Sequence, residues 1–312
     1  MSGLPPVVVA AGGLRVFQRG APRSPAEAGL HVGPVSPVDL PDTPALEARV
    51  DDGRVWRRLW QTANRLVVHF VDQAVVAVSA AGLVTFDRPL PEEMEQHLLM
   101  DHILPLVLAT SGAVVVHGGV ISLDGRGVVL VGSSGAGKST LTAFAWKQGW
   151  TVGGDDGAVV AAGPPPTAEP TYPTMRLTPD SLQMLDIDPT PSAPIAGKIR
   201  ITSHGTDGFR PEPVELRVIA ILVPAPPGAD ATFEAIDGVD AHAELFGSTF
   251  HVDLTMPNIA KTVDDLGGIV DATTVGRLTV PRGLAGLSAA ERLLASAVVP
   301  APADVGSRQP EP

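Results

Sequence analysis

The chain contains no cysteine. That absence removes disulfides, thiolate nucleophiles and Cys-ligated zinc, and it suits a reducing cytoplasm, the compartment expected here. Aromatic residues are scarce: eight Phe, four Trp and one Tyr in 312 residues offer little surface for stacking nucleic-acid bases. Basic residues are outnumbered, 22 Lys and Arg against 34 Asp and Glu, for a formal net charge of −12. A groove that neutralises a phosphate backbone is therefore not expected, and nucleic acid is excluded as a partner. Long apolar runs are missing too. The longest, Ile103 to Val116, has 14 residues and contains Pro105 and Gly112, so it reads as protein core and no membrane association is expected. The N-terminus, MSGLPPVVVAAGGLRVF, lacks the basic region and unbroken apolar stretch of a secretory leader. What remains, with 44% hydrophobic residues, describes a soluble chain of one large or two ordinary domains.

Residues 20–46 are rich in Pro, Ala and Gly without periodicity and are expected to form an irregular, flexible segment. Short β-branched runs follow at Val55–Trp60, Arg65–Val71, Ala74–Val78 and Leu83–Phe86, separated by turn residues, which predicts a small antiparallel sheet. Pro91-Glu92-Glu93 opens a helix that carries Met94, Leu98, Leu99 and Ile103 toward a core. A strand over Ala113–Val116 ends at His117. Further on, Ala158–Val160, Leu216–Val223, Phe250–Leu254 and Gly276–Val280 read as strands and Ser181–Leu185 as a short helix. The stretches Gly163–Pro173 and 189–213, dense in Pro or Gly, read as loops. A last helix near Ser288–Val298 is predicted to start at a Ser288/Glu291 capping box.

The strongest pattern lies between these elements. Gly132, Ser133, Ser134, Gly135, Ala136, Gly137, Lys138 and Ser139 satisfy G-x-x-x-x-G-K-[ST]. The apolar run Gly127–Val131 leads in as a strand, and Ser139–Lys147 leads out as a helix. In that setting the glycines let backbone N–H groups curl around an anion at the positive end of the helix. Gly132 through Thr140 are thus candidate nucleotide-binding residues, Lys138 would reach the β- and γ-phosphates, and Ser139 would complete a Mg²⁺ shell. Paired carboxylates follow at Asp155 and Asp156. Adjacent strand residues point to opposite faces, so both serve one site only if the strand has ended, which Gly153 and Gly154 permit.

Among nucleotide-binding classes, a transport ATPase would need an LSGGQ-like signature and a GTPase an Asn-Lys-x-Asp base reader; the chain has neither. Kinases remain. His117 lies fifteen positions before Gly132, and Asp155 and Asp156 lie twenty-three and twenty-four after it. A His-Gly strand, phosphate loop and Asp-Asp pair at this spacing resemble the C-terminal catalytic domain of the HPr kinase/phosphorylase family. The likeness spans about residues 110–225, and 46–110 resemble the β-rich leaders of HPr-kinase-related proteins of biosynthetic clusters, including lasso-peptide kinases.

The resemblance implies an α/β fold, with a P-loop kinase domain of the HPr kinase type over 109–300 and a β-rich N-terminal region over 1–108; the final residues, 301–312, contain Pro and Gly and are expected to form a disordered tail. It implies an ATP- and Mg²⁺-dependent serine kinase acting on a peptide or small carrier protein. Asp155 matches the general base, and Asp156 the neighbour that helps hold the metal. His117 would orient the acceptor or position Asp155; a hydrogen-bonded histidine at a strand end is the plainer alternative. Lys198, in Gly197-Lys198 within a flexible segment, is a candidate cation over the phosphates, with a solvated surface lysine as its alternative. Arg176 and Arg200 are further candidates. One departure limits the likeness: the family's Glu-x-Arg-Gly-x-Gly signature is replaced by Thr174-Met175-Arg176-Leu177-Thr178-Pro179, so neither the reverse phosphorylase reaction nor HPr as substrate follows. A kinase for free serine or a sugar, and a non-catalytic nucleotide sensor, stay open beside the peptide kinase. A homo-oligomer is compatible with all three.

Overall fold

Apolar residues occupy every position of Val128–Val131 and Val218–Leu222, and alternate residues feed two different cores. Val128, Leu130, Val218, Ala220 and Leu222 pack with Leu141 and Phe144 of the helix Lys138–Lys147 and with Leu287 and Leu294 of the helix Leu284–Val298. Val129, Val131, Ile219 and Ile221 pack on the opposite side with Leu245 of the helix Gly238–Gly247 and with Leu266 and Ile269 of the helix Met256–Ala272. A sheet covered by helices on both faces is what such unbroken apolar strands demand. Each fully buried Leu or Ile contributes roughly 1.5–3 kcal/mol.

The computed structural model describes residues 7–9, 14–17, 29–50, 52–172, 174–189, 193–202 and 212–299. Among these residues the second half forms a nine-stranded mixed sheet. Its order is Thr151–Gly154, Gly118–Leu123, Arg126–Val131, Val214–Pro224, Thr167–Glu169, Ala158–Ala161, Val114–Val116, with Thr274–Val280 also beside Val214–Pro224 and Thr232–Ala235 outside it. Arg126–Val131, Val214–Pro224 and Thr274–Val280 run parallel. A separate two-stranded sheet pairs Thr174–Leu177 with Ile199–Thr202 in antiparallel register.

The first half forms an eight-stranded sheet in the order Val7–Val9, Arg15–Phe17, Leu30–Val32, Leu83–Phe86, Ala74–Ser79, Arg65–Phe70, Val55–Gln61, Leu46–Arg49. The expected antiparallel meander over residues 55–86 is present. Leu30–Val32 lies in the stretch read as irregular; three residues are too few to display alternation, and pairing with Leu83 and Val84 makes the strand. One face of this sheet, including Leu59, Val68, Phe70, Val76 and Phe86, closes on a helical rod. The rod is α-helical over Glu92–His97, π-helical over Leu98–Ile103 and α-helical again over Leu104–Thr110. Leu98, Leu99, Met100, Ile103, Leu104 and Leu106 are buried in the same core, which continues into Val115, Val159 and Tyr172 of the second half.

Several local expectations are corrected. Phe250–Leu254 is not a strand: after a single bridge between Val116 and Thr249 and one bond from the Phe250 amide to the Val115 carbonyl, the chain leaves the sheet. Asp253 then accepts the Thr255 amide at 2.8 Å ahead of a helix the sequence reading missed. The other missed helix, Gly238–Gly247, is capped by Asp237 on the Asp240 amide. Gly163–Pro173 is more than a loop, since it holds the strand Thr167–Glu169 and the buried Thr171 and Tyr172. Within 189–213, Ile199–Thr202 is a strand. The final helix starts at Leu284, so Ser288 sits inside it; the Ser288 hydroxyl accepts from Arg292, and Glu291 accepts from Trp150 Nε1 at 2.8 Å. Residues 301–312, read as a tail, lie outside the described residues, as do 20–28 and 203–211. Among the described residues no helix is long and apolar enough to cross a membrane.

Candidate functional site

The glycine-rich loop leaves the end of the parallel strand Arg126–Val131 and enters the helix at Lys138. Gly137, the residue at the helix N-cap, has φ 101°, a left-handed conformation that residues with a Cβ rarely adopt. Ser133, Ser134 and Gly135 are exposed, while Lys138 is buried. Its ammonium folds back over the loop and donates to the carbonyls of Gly132 at 2.6 Å and Ser133 at 3.3 Å. Burial lowers its pKa, against which Asp156 and Asp155 act, while Lys198 lowers it further. The Thr140 hydroxyl points elsewhere, to Ser181 Oγ at 2.9 Å on the neighbouring helix Pro179–Leu185.

The carboxylate pair comes from the next strand. Thr151–Gly154 ends at Gly154, whose φ is 139°, and the turn sends the two acids to different environments. Asp155 is buried, at 1% exposure, and Asp156 is half-buried. Oδ2 of Asp155 accepts the Arg176 amide at 3.0 Å; Oδ1 is buried and has no hydrogen-bond partner among the described residues. Burial first, then the charge of Asp156, pushes the Asp155 carboxyl up to about 7, against the Arg176 amide, the nearby Ser139 hydroxyl and the Lys198 charge. Gly119 comes close to this turn: a Cβ there would lie 3.2 Å from the Gly154 carbonyl and 3.5 Å from Asp155 Cα.

His117 lies between the strands Val114–Val116 and Gly118–Leu123. Its Nδ1 is 3.2 Å from the Asp156 carbonyl, and its ring meets Phe250 edge-on at 5.9 Å. Burial and then Lys138 lower its pKa, with Lys198 adding to this and Asp156 opposing. The neutral ring must carry its proton on Nδ1 to donate to that carbonyl, which leaves Nε2 as the lone-pair nitrogen. His117, Gly132 and Ser133 together border a cavity of about 680 Å³ whose other walls include Trp56, Arg57, Phe250 and Leu254.

Lys198 reaches the site from a tight turn. Ile195 and Lys198 exchange backbone hydrogen bonds around Ala196 and Gly197, both with left-handed φ, just before the strand Ile199–Thr202. Its charge is felt at Asp155, His117 and Lys138.

A buried ionic network takes up the two candidate arginines, Arg176 and Arg200, and joins them to Asp101, His97 and Tyr172, which the sequence reading did not single out. Asp101, on the π-helical segment, receives Arg200 Nη2 at 2.9 and 2.8 Å, the Tyr172 hydroxyl at 3.0 Å, His97 Nδ1 at 2.6 Å and Arg176 Nη1 at 3.4 Å. Burial would raise its pKa, but Arg200, His97 and Arg176 outweigh that and hold the carboxyl well below its usual range. Arg176 also donates from Nη2 to the Ile195 carbonyl at 2.6 Å. One residue therefore joins the hub, the Lys198 turn and, through its amide, Asp155. The available signal was a lone carboxylate inside an apolar run, four residues after a histidine.

The structure thus brings Lys138, Ser139, Asp155, Asp156, His117 and Lys198 to one place, while the Thr140 hydroxyl is engaged away from it. Among the described residues, no group of three or more His, Asp or Glu is placed to hold a metal unaided. Ser139 and Asp156 offer two hard oxygen donors, a set that suits Mg²⁺ completed by phosphate and water.

The chain matches no family model and no curated protein sequence. Among solved structures it is similar to the Hpr(Ser) kinase/phosphatase from Coxiella burnetii, at 13% sequence identity over 58% of this chain and 94% of that one, with a TM-score of 0.33.

Proposed function

We propose that the chain is an ATP- and Mg²⁺-dependent kinase that phosphorylates a serine hydroxyl on a peptide or small carrier protein. The observation that carries this reading is Asp155, a buried carboxylate pushed up to about 7 beside the glycine-rich loop, with one oxygen fixed and the other without a partner among the described residues. A base of that strength is matched to removing a hydroxyl proton at neutral pH. Bound ATP–Mg²⁺ supplies the phosphoryl group. The loop amides and Lys138 would hold the phosphates, Ser139 and Asp156 would hold the metal, and Lys198 would add positive charge where negative charge accumulates. His117 presents Nε2 to the acceptor, and Asp155 Oδ1 takes the proton.

The test is transfer of label from γ-labelled ATP to a serine-containing peptide library, with Lys138→Ala and Asp155→Asn as controls. Absence of transfer together with ATP binding that Lys138→Ala leaves intact would overturn the reading. The half-open cavity beside His117 favours a second reading, a kinase for a small hydroxyl metabolite, because its volume lies in the range of small-molecule sites. Label appearing on free serine or sugars and not on peptides would select it.

A further inference from the structure

Arg57 stands on the strand Val55–Gln61 at the wall of the cavity that His117, Gly132 and Ser133 border from the other side. Its guanidinium lies over the Trp56 ring at 4.9 Å, and among the described residues it has no hydrogen bond and no acidic partner. The acids that border the cavity are already engaged. Glu47 is held by Arg49 at 2.7 Å and Arg58 at 2.9 Å, and Glu244 by Arg277 at 3.3 Å. Two histidines on the cavity wall are held toward their neutral forms: burial, and then His97, bring His102 down to about 3, and burial, and then Lys138, lower His117. Burial also brings Arg57 down, to about 10, which still leaves it fully charged. A partly desolvated cation without a counter-ion is costly unless something anionic arrives to pair with it.

We infer that this cavity receives the phosphate acceptor, and that Arg57 binds an anionic group on it, carboxylate or phosphate, while Trp56, Phe250 and Leu254 cover its apolar body. The inference rests on the kinase reading for the word acceptor, but the binding chemistry stands on the cavity alone. A guanidinium can offer two parallel N–H donors to either anion, and its stacking on Trp56 leaves those edges available. An acceptor anchored at Arg57 extends toward His117, Gly132 and Ser133, which border the same cavity.

The experiment is calorimetric titration of the full chain, without nucleotide, using N-benzoyl-L-serine, its primary amide and phenyl phosphate. At least one anionic probe is expected to bind about tenfold or more tightly than the amide, and whichever anion binds better identifies the group. Arg57→Met should erase the difference, and Arg57→Lys should keep part of it. Equal binding of acids and amide by the native chain, or no binding of any probe, overturns the inference, and this comparison stands even if Arg57→Met does not fold. A non-hydrolysable ATP analogue is titrated in parallel. Its affinity should survive Arg57→Met; its loss would place the nucleotide in the cavity and overturn the inference. Failure of ATP binding in the native chain would sink the kinase reading and leave the Arg57 result untouched.

Discussion

The backbone amide of Arg176 donates to Oδ2 of Asp155 at 3.0 Å while the same residue's guanidinium reaches Asp101 and the Ile195 carbonyl. The proposed base is thereby fixed to the hub beneath it and to the turn that carries Lys198. An element far from the chemistry can then change how the base is held.

Removing the hub should be costly. Asp101→Ala leaves Arg200, Arg176 and Tyr172 buried without their shared acceptor, and stability should fall by roughly 3–5 kcal/mol. Urea denaturation of the two proteins reads this directly. A loss below about 1 kcal/mol would mean that the network relaxes around water and does not anchor the site.

Asp155→Asn should abolish phosphoryl transfer and, at neutral pH, stabilise the fold. The folded-state pKa is raised from 3.8 to about 7, so the folded protein binds the extra proton between those values. Its stability is therefore greatest below the unfolded pKa, declines as pH rises toward 7, and is level above. The asparagine variant escapes the decline. It should gain on the order of 4 kcal/mol at pH 8 and nothing near pH 3. Equal effects at both pH values would show that Asp155 is not held protonated by its surroundings.

If Asp155 is the base, the same group should set an acidic limb on activity. Transfer should weaken as pH falls through about 7, because Asp155 then carries the proton it has to accept. A kcat/KM profile flat from pH 6 to 8 would remove Asp155 from the base role.

Gly154→Ala tests the turn. A Cβ there would lie 2.5 Å from Thr171 Oγ1, which itself donates to the Gly157 carbonyl at 2.6 Å, and the backbone φ of 139° is unfavourable for alanine. The variant should lose about 1–3 kcal/mol and most of its activity, with nucleotide affinity changed little. Activity at the native level would mean that the turn yields without moving Asp155.

Lys138→Ala should weaken binding of an ATP analogue roughly tenfold to a hundredfold, the worth of a charged hydrogen-bonded contact. Thermal stability should change little, since the ammonium now satisfies only the carbonyls of Gly132 and Ser133.

How much of this could be read from the residues depended on the range of the interaction. The glycine-rich loop, its flanking strand and helix, and the turn after Gly154 follow from neighbouring residues, and they stood out. The meander over 55–86 did too, because alternation repeats through it. The hub did not. Asp101, Tyr172, Arg176 and Arg200 are separated by up to 99 positions, and only the fold makes them neighbours. Ser288 and Glu291 matched a capping pattern, yet the helix starts earlier, where burial of Leu287 rewards an additional turn. Phe250–Leu254 has strand-like residues, but only Phe250 and Thr249 find a partner edge.

The rod over residues 92–110 shares its apolar surface between the first sheet and the second half of the chain. Cutting the polypeptide just before Val114 would strip Val115, Val159 and Tyr172 of the leucines they lean on and would take Asp101 away from two arginines. The β-rich leader is thus part of the floor on which the proposed base rests, and heating should melt both halves in a single cooperative step.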